Sequence, residues 1–130
     1  MTGQIQVYTG NGKGKTTASL GLALRAIGAG YKVCIIQFMK GQMYSELKSL
    51  EMLKEHITLE RYGHKCFIKG EASEEQIALA QAGLRRAAEV LKQGEHHIVI
   101  LDEANVAIFF KLFTTQQLIE AIQQRAPHVE

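Results

Sequence analysis

Apolar residues along the 130-residue chain recur with two periods, one typical of strands and one typical of helices. Short apolar runs at residues 5–8, 32–38, 57–62 and 97–101 predict buried β-strands. Between these runs, apolar residues recur at intervals of three and four positions, which predicts amphipathic helices. Strands that alternate with helices are typical of an α/β fold, in which a mostly parallel sheet is flanked by crossover helices.

Local signals mark where the predicted helices begin and end. The segments 73–76 (Ser-Glu-Glu-Gln) and 114–117 (Thr-Thr-Gln-Gln) match the capping box, in which a hydroxyl residue and a glutamine three positions later bond each other's backbone N–H groups. The first of these helices is predicted to end at Gly94 and the second near Pro127, the only proline. An earlier apolar stripe at residues 20–27 predicts another helix.

A glycine-rich segment lies between the first predicted strand and the first predicted helix, the setting of a phosphate-binding loop. Its glycines let the backbone curl so that successive N–H groups point at phosphate oxygens, and the following helix adds its positive N-terminal end. Lys15 supplies a cation and Thr16 a hydroxyl suited to Mg²⁺. The usual motif opens with glycine, and a threonine stands there in this chain. The predicted nucleotide-binding residues are Thr9, Gly10, Asn11, Gly12, Lys13, Gly14, Lys15, Thr16 and Thr17.

The last predicted strand is followed by two carboxylates, Asp102 and Glu103. Open α/β sheets bind ligands at the carboxyl ends of their strands, so these side chains are predicted to share a magnesium site with Thr16. By itself an apolar strand that ends in acidic residues favours a solvated strand end, but the phosphate-binding loop reverses that preference. Residues 40–42 follow the second predicted strand at the same end of the sheet, and they either belong to the site or only turn the chain.

Composition narrows the class of protein. With 46% apolar and 22% charged residues, the chain is predicted to be one globular domain over residues 1–130. A net charge of +2 gives no argument for a nucleic-acid or membrane partner, and no apolar stretch is long enough to span a bilayer. The short segment before the first predicted strand leaves no room for a signal peptide, which predicts a cytoplasmic protein. Cys34 and Cys66 lack metal-ligand spacing, and both are predicted to be reduced.

Three segments together resemble the ATP:corrinoid adenosyltransferases, also called cob(I)yrinic acid a,c-diamide or cob(I)alamin adenosyltransferases. They are residues 9–17 (Thr-Gly-Asn-Gly-Lys-Gly-Lys-Thr-Thr), 63–70 (Gly-His-Lys-Cys-Phe-Ile-Lys-Gly) and 99–107 (Val-Ile-Leu-Asp-Glu-Ala-Asn-Val-Ala). The likeness covers essentially the whole chain, and Lys13 gives the loop the close-set lysines typical of that family. The resemblance implies a RecA-like P-loop fold and transfer of the 5′-deoxyadenosyl group of ATP to a reduced cobalt centre, with release of triphosphate.

The resemblance also implies roles for individual residues. Lys15, Thr16 and Glu103 would be catalytic, with Mg²⁺ as cofactor and with ATP and a reduced corrinoid as substrates. Phe67 matches the aromatic position that faces the corrinoid in the family, although a phenylalanine in the hydrophobic core is an equally good interpretation. Asn105 matches another family position, or else it caps the helix that follows. The implied partners are an electron-donating flavoprotein and, in a homodimer, a second copy of the chain.

Family members continue beyond the position of residue 130 with another strand, a threonine-glycine-arginine segment and a final helix. The resemblance therefore predicts a sheet that lacks its last strand and helix. Two other functions remain open from the sequence. One is an ATP hydrolase in which Glu103 is the general base that activates water, and the other is a non-catalytic module that binds ATP.

Overall fold

Three parallel strands form the sheet in the computed structural model, which describes residues 2–42 and 44–130. They are β1 (Val33–Phe38), β2 (Ile57–Tyr62) and β3 (Ile98–Asp102), and they lie side by side in the order β2-β1-β3. The described helices are α1 (Lys15–Gly28), α2 (Ser45–Glu51), α3 (Glu74–Gln93), α4 (Ala104–Phe109) and α5 (Thr115–Gln123). The predicted α/β class, with a parallel sheet flanked by helices, is confirmed.

The central strand β1 is buried along its whole length, because helices cover both faces of the sheet. Successive side chains of a strand point to opposite faces. Cys34, Ile36 and Phe38 therefore pack in one core with residues of α3, α4 and α5. Val33 and Ile35 pack in a second core with residues of α1 and α2. The carboxyl ends of all three strands meet at one edge of this layered structure, because the strands are parallel.

The helix signals in the sequence are confirmed for α3 and α5. Ser73 accepts a hydrogen bond from the backbone N–H of Gln76 at 3.1 Å, and the Gln76 side chain accepts one from the Ser73 backbone at 2.8 Å. Thr114 and Gln117 form the same reciprocal pair at the start of α5. Gly94 ends α3 with a φ angle of 70°, a left-handed conformation that favours glycine. No described helix is both long and apolar enough to cross a membrane.

The prediction of a strand at residues 5–8 is wrong, because this segment pairs with no described strand. Two of its apolar side chains are largely exposed, Ile5 at 57% and Val7 at 68%. Residues 4–11 instead line a groove of about 550 Å³, and β3 and residues of α1, α4 and α5 line it too. We call this cavity the β3 groove.

Backbone contacts place residue 130 at the start of the free edge of β3. A strand needs a free edge for its backbone hydrogen bonds. At the start of β3 that edge is taken, since the N–H of Val99 donates to the carbonyl of Glu130 at 2.7 Å. Gly3 is held at the same place, and its N–H donates to the carbonyl of Pro127 at 2.9 Å. Residue 130 thus occupies the start of the free edge of β3, next to the position where Gly3 is held.

The sequence patterns did not predict two short helices, α2 and α4. They have seven and six residues, too few to show a clear helical period. The interpretation of Asn105 as a helix cap is wrong, because Asn105 is the second residue of α4 and Glu103 is the N-cap. Glu103 has a positive φ angle of 64°, so the chain turns into the helix before Asn105 is reached.

Both cysteines are free thiols, as predicted. Cys34 is buried in β1, and this burial raises the pKa of its thiol to about 11. Cys66 is exposed in the segment between β2 and α3. The Cys34 thiol therefore stays protonated at neutral pH and acts as a small apolar core residue.

Candidate functional site

The glycine-rich segment forms a loop that leads directly into α1. Gly10 and Gly14 have φ angles of 134° and 107°, in the region where any other side chain would strain the backbone. Gly14 is also the N-cap of α1, so the loop ends at the positive end of the helix dipole. The backbone N–H groups of the first turn of a helix have no partner within that helix, and they suit an anion.

Lys15 folds back over this loop. Its Nζ donates hydrogen bonds to the backbone carbonyls of Gly10 at 2.7 Å and of Gly12 at 2.6 Å. Lys13 and Thr17 are exposed beside it. The ammonium group of Lys15 thus lies against the backbone of the glycine-rich loop. A phosphate oxygen would be a stronger acceptor for it than either carbonyl oxygen, because a phosphate is charged.

The carboxylate of Asp102 is the centre of the polar contacts at the end of β3. Its Oδ1 accepts a hydrogen bond from the hydroxyl of Thr16 at 3.0 Å, which joins the first turn of α1 to the strand. Its Oδ2 accepts hydrogen bonds from Gln37 Nε2 at 3.2 Å and from Lys40 Nζ at 3.0 Å. Asp102 lies opposite Gln37 in the register of β1 with β3, so the two side chains meet on one face of the sheet.

Lys40 contributes a cation to the same cluster. Its Nζ lies 3.1 Å from Thr16 Oγ1 and 3.6 Å from Glu103 Oε1, in addition to its contact with Asp102. Burial disfavours the charged form of Lys40, but the hydrogen bond and the charge of Asp102 outweigh this cost, and the pKa of Lys40 is raised. Lys40 therefore lies within the polar cluster around Asp102, while a functional role for residues 40–42 stays a prediction. The sequence analysis did not identify Gln37 as part of this cluster. The one indication in the sequence is that Gln37 is a polar residue inside an apolar run, where it is buried.

A strained turn directs Lys40 toward the carboxylates. Met39 has a φ angle of 70°, and the N–H of Lys40 donates to the carbonyl of Phe38 at 2.7 Å. This three-residue turn is a rare, strained type for a residue other than glycine. It reverses the chain immediately after β1, so that Lys40 stays at the carboxyl edge of the sheet.

Close backbone contacts hold this turn in position. A Cβ atom on Gly41 would lie 2.1 Å from the carbonyl oxygen of His64, and one on Gly63 would lie 2.5 Å from backbone atoms of Lys40. Only glycine permits such contacts, which bring the segments after β1 and after β2 together. Arg61 Nη2 also donates to the carbonyl of Lys40 at 3.3 Å.

Phe67 lies on the surface, so its interpretation as a core residue is wrong. Its side chain is 72% exposed. It borders a pocket of about 220 Å³ whose lining also includes Lys40, Gly63, His64 and Glu103. The segment that carries Phe67 is therefore next to the charged cluster at the end of β3.

Most of the residues predicted to bind nucleotide or metal line the β3 groove. These residues are Thr9, Gly10, Asn11, Lys15, Thr16, Asp102 and Glu103. Gly12, Lys13, Gly14, Thr17 and Phe67 are outside its lining.

The oxygen atoms of Thr16, Asp102 and Glu103 fit a magnesium ion, because hydroxyl and carboxylate oxygens are the ligands that this ion prefers. Among the described residues, no three or more His, Cys, Asp or Glu side chains form a group that could hold a metal. The described side chains of these four types thus offer too few ligands to enclose the ion alone. Mg²⁺ usually keeps several waters and takes further oxygens from substrate phosphates, and the residues present suit that mode of binding.

Comparison with known proteins identifies the family. The family model described as ATP:corrinoid adenosyltransferase BtuR/CobO/CobP matches residues 1–130. This chain belongs to that family. The resemblance that the motifs indicated is therefore confirmed.

Individual relatives support the same assignment. The chain is 31% identical over 124 residues to the corrinoid adenosyltransferase of Pseudomonas aeruginosa, in an alignment that covers 95% of this chain and 61% of the relative. It is 31% identical over 133 residues to that of Escherichia coli strain K12, covering 97% and 63%. It is 33% identical over 129 residues to corrinoid adenosyltransferase CobA of Salmonella typhimurium, covering 97% and 64%. The chain thus spans less than two thirds of the length of each of these relatives.

Replacing Asp102 by alanine should lower the free energy of unfolding by about 2–3 kcal/mol, because Lys40 and Gln37 would lose their buried acceptor. The double variant Asp102→Ala/Lys40→Met should lose less than the sum of its two single changes, since it removes both charges of the pair. Urea unfolding of the four proteins measures this coupling. As a control, Lys48→Met on the exposed side of α2 should add to Asp102→Ala without coupling. Simple additivity for Asp102 and Lys40 would contradict their ion pair.

Proposed function

We propose that this chain transfers the 5′-deoxyadenosyl group of Mg-ATP to the reduced cobalt of a corrinoid and releases triphosphate. The observation that carries the proposal is the 3.0 Å hydrogen bond between Thr16 and Asp102, which joins the start of α1 to the acidic end of β3. It brings the glycine-rich loop and the carboxylates to one edge of the sheet, where open α/β sheets bind their ligands. Membership of the ATP:corrinoid adenosyltransferase family supplies the class of reaction.

The transferred group determines what the loop must do. The bond between ribose C5′ and the adjoining phosphate oxygen breaks, its electron pair leaves with the triphosphate, and reduced cobalt supplies the electron pair of the new cobalt–carbon bond. Negative charge therefore grows on the triphosphate, and cations and N–H groups already aimed at it stabilise the transition state. Lys15, Lys13 and the backbone N–H groups of residues 9–17 would meet that charge.

The carboxylates at the end of β3 would hold Mg²⁺ together with the hydroxyl of Thr16. When bound there, the ion would neutralise part of the triphosphate charge and so improve the leaving group. Asp102 already accepts a hydrogen bond from the hydroxyl of Thr16. Glu103 is the next residue in the chain, and 29% of its side chain is exposed. Both are thus near the loop while Glu103 stays accessible from solvent.

The exposed ring of Phe67 supports a corrinoid site beside the charged cluster. A large aromatic side chain on the surface leaves apolar area in water, which binding of an apolar ligand face would cover. In contact with the corrinoid, the ring would exclude water and disfavour an axial ligand on the cobalt. A cobalt centre without that ligand is easier to reduce, so Phe67 would act before the transfer itself.

The remaining parts of the proposal come from the family resemblance. The cobalt must be reduced before transfer, and an electron-donating flavoprotein is the proposed reductant. The proposed assembly is a homodimer that works in the cytoplasm.

Product analysis tests the class of reaction. With Mg-ATP and a chemically reduced corrinoid, the protein should release triphosphate and form an adenosylated corrinoid, which is followed by its absorbance. ADP with phosphate would instead identify an ATP hydrolase with Glu103 as general base, and unchanged ATP would identify a binding module. Either of these results would overturn the proposed transfer.

Replacing Lys15 by alanine should weaken the binding of Mg-ATP by about a hundredfold or more, because a charge-assisted contact to the triphosphate is lost. Isothermal titration calorimetry measures the dissociation constant. The matched control is Lys48→Met on α2, which should leave the affinity unchanged. Equal affinities for the wild type and Lys15→Ala would rule out the loop as the nucleotide site.

Phe67→Ala should separate cobalt reduction from ATP binding. Its melting temperature and its affinity for Mg-ATP should stay near those of the wild type, because an exposed ring leaves no buried cavity. Transfer should slow when the corrinoid starts as cobalt(II) with a mild reductant, and much less when cobalt(I) is supplied. Met52→Ala, which truncates another exposed apolar side chain, should affect neither assay. Equal losses in both assays would argue against a role for Phe67 in reduction.

A further inference from the structure

The ammonium group of Lys40 lies among the oxygen atoms that are proposed to hold Mg²⁺. Its Nζ is 3.0 Å from Asp102 Oδ2, 3.1 Å from Thr16 Oγ1 and 3.6 Å from Glu103 Oε1. A magnesium ion would need oxygens of this set at about 2.0–2.1 Å. Two cations in one cluster repel each other strongly when water is largely excluded, and Lys40 and Asp102 are only 17% and 9% exposed. The ion and the ammonium group therefore compete for the same position.

We propose that Lys40 is a built-in counter-ion that makes metal binding depend on the nucleotide. In the nucleotide-free protein it occupies the position of the metal and excludes a lone divalent cation. When Mg-ATP enters, the ammonium group moves to the triphosphate and leaves the carboxylates to the metal. This inference rests on the proposed function, because it takes the cluster as the site of Mg-ATP.

The charges in the cluster support the proposed dependence of metal binding on nucleotide. The cluster holds two carboxylates, Asp102 and Glu103, and the single positive charge of Lys40. A divalent ion alone would have to displace Lys40 from a largely buried pair without offering it another partner, which is costly. A triphosphate carries several negative charges and supplies that partner.

Reach and flexibility allow the exchange. Lys40 already contacts Thr16 at the junction of the glycine-rich loop with α1, so phosphate oxygens held by that loop would be near its ammonium group. The backbone at Lys40 is fixed by the turn at Met39 and by the close contacts of Gly41 and Gly63. A lysine has a long, flexible stem. The side chain can therefore change partners while the backbone stays in place.

Mn²⁺ binding to the nucleotide-free protein tests the proposal without any need for ATP. Free Mn²⁺ is measured by its electron paramagnetic resonance signal, with the folded state of each protein checked by circular dichroism. Lys40→Met should bind Mn²⁺ at least about tenfold more tightly than the wild type, because the competing charge is gone. Lys48→Met, with the same change on the exposed side of α2, should match the wild type. The double variant Lys40→Met/Asp102→Asn should lose the gain.

A charge-retaining variant keeps the test decisive if Lys40→Met folds poorly. Lys40→Arg preserves a cation and should bind Mn²⁺ as weakly as the wild type, so tighter binding by Lys40→Arg would contradict the proposal. Equal Mn²⁺ affinities for the wild type and a folded Lys40→Met would overturn it.

A second titration examines the link to the nucleotide. ATP should strengthen Mn²⁺ binding much more in the wild type than in Lys40→Met, because only the wild type must first release its own cation. The same strengthening in both proteins would refute the conditional role of Lys40. If ATP strengthens Mn²⁺ binding in neither protein while Lys40→Met still binds free Mn²⁺ more tightly, the proposed ATP site fails and the exclusion of free metal by Lys40 stands.

Discussion

The buried carboxylate of Asp102 is the constraint on which the rest of the site depends. A carboxylate with so little exposure needs partners, because an unpaired charge in a protein interior is strongly destabilising. The fold supplies them from three directions: Thr16 from α1, Gln37 from β1 and Lys40 from the turn after β1. Each contact fixes one element against β3. The glycine-rich loop, the sheet and the turn are thus held in one arrangement by a single side chain.

Two residues next to the charged groups of this cluster have a strained backbone conformation. Met39 and Glu103 have φ angles of 70° and 64° although neither is glycine. Such conformations cost about 1–3 kcal/mol each and persist only where the surrounding structure holds them. One comes directly before Lys40 and the other directly after Asp102, so both strained residues adjoin a charged group of the cluster. The third described non-glycine residue with a positive φ angle is Lys111, so two of the three adjoin this cluster.

Sequence patterns predict those features that depend on neighbours along the chain. The helix caps and the buried strands of the sheet are of this kind, and so is the glycine-rich loop. The strand expected at residues 5–8 depends on a free edge of β3, and Glu130 takes part of that edge from the far end of the chain. Lys40 contacts Asp102 directly after Met39, whose positive φ angle no propensity indicates. Gln37 is bonded to Asp102 through strand register, and register is set by the packing of the whole sheet.

The two lysines of the cluster have different partners, and in the proposed mechanism this difference would couple metal binding to nucleotide binding. Lys15 is bonded to neutral carbonyl oxygens, so a phosphate group would give it a stronger, charge-assisted contact. Lys40 is bonded to a carboxylate, and moving to a phosphate would only replace one anion by another. Such a move would also leave Asp102 buried without its cation, which is favourable only if Mg²⁺ takes that place. Under this proposal, metal and triphosphate would each strengthen the binding of the other, and Lys40 would be the group through which that coupling acts.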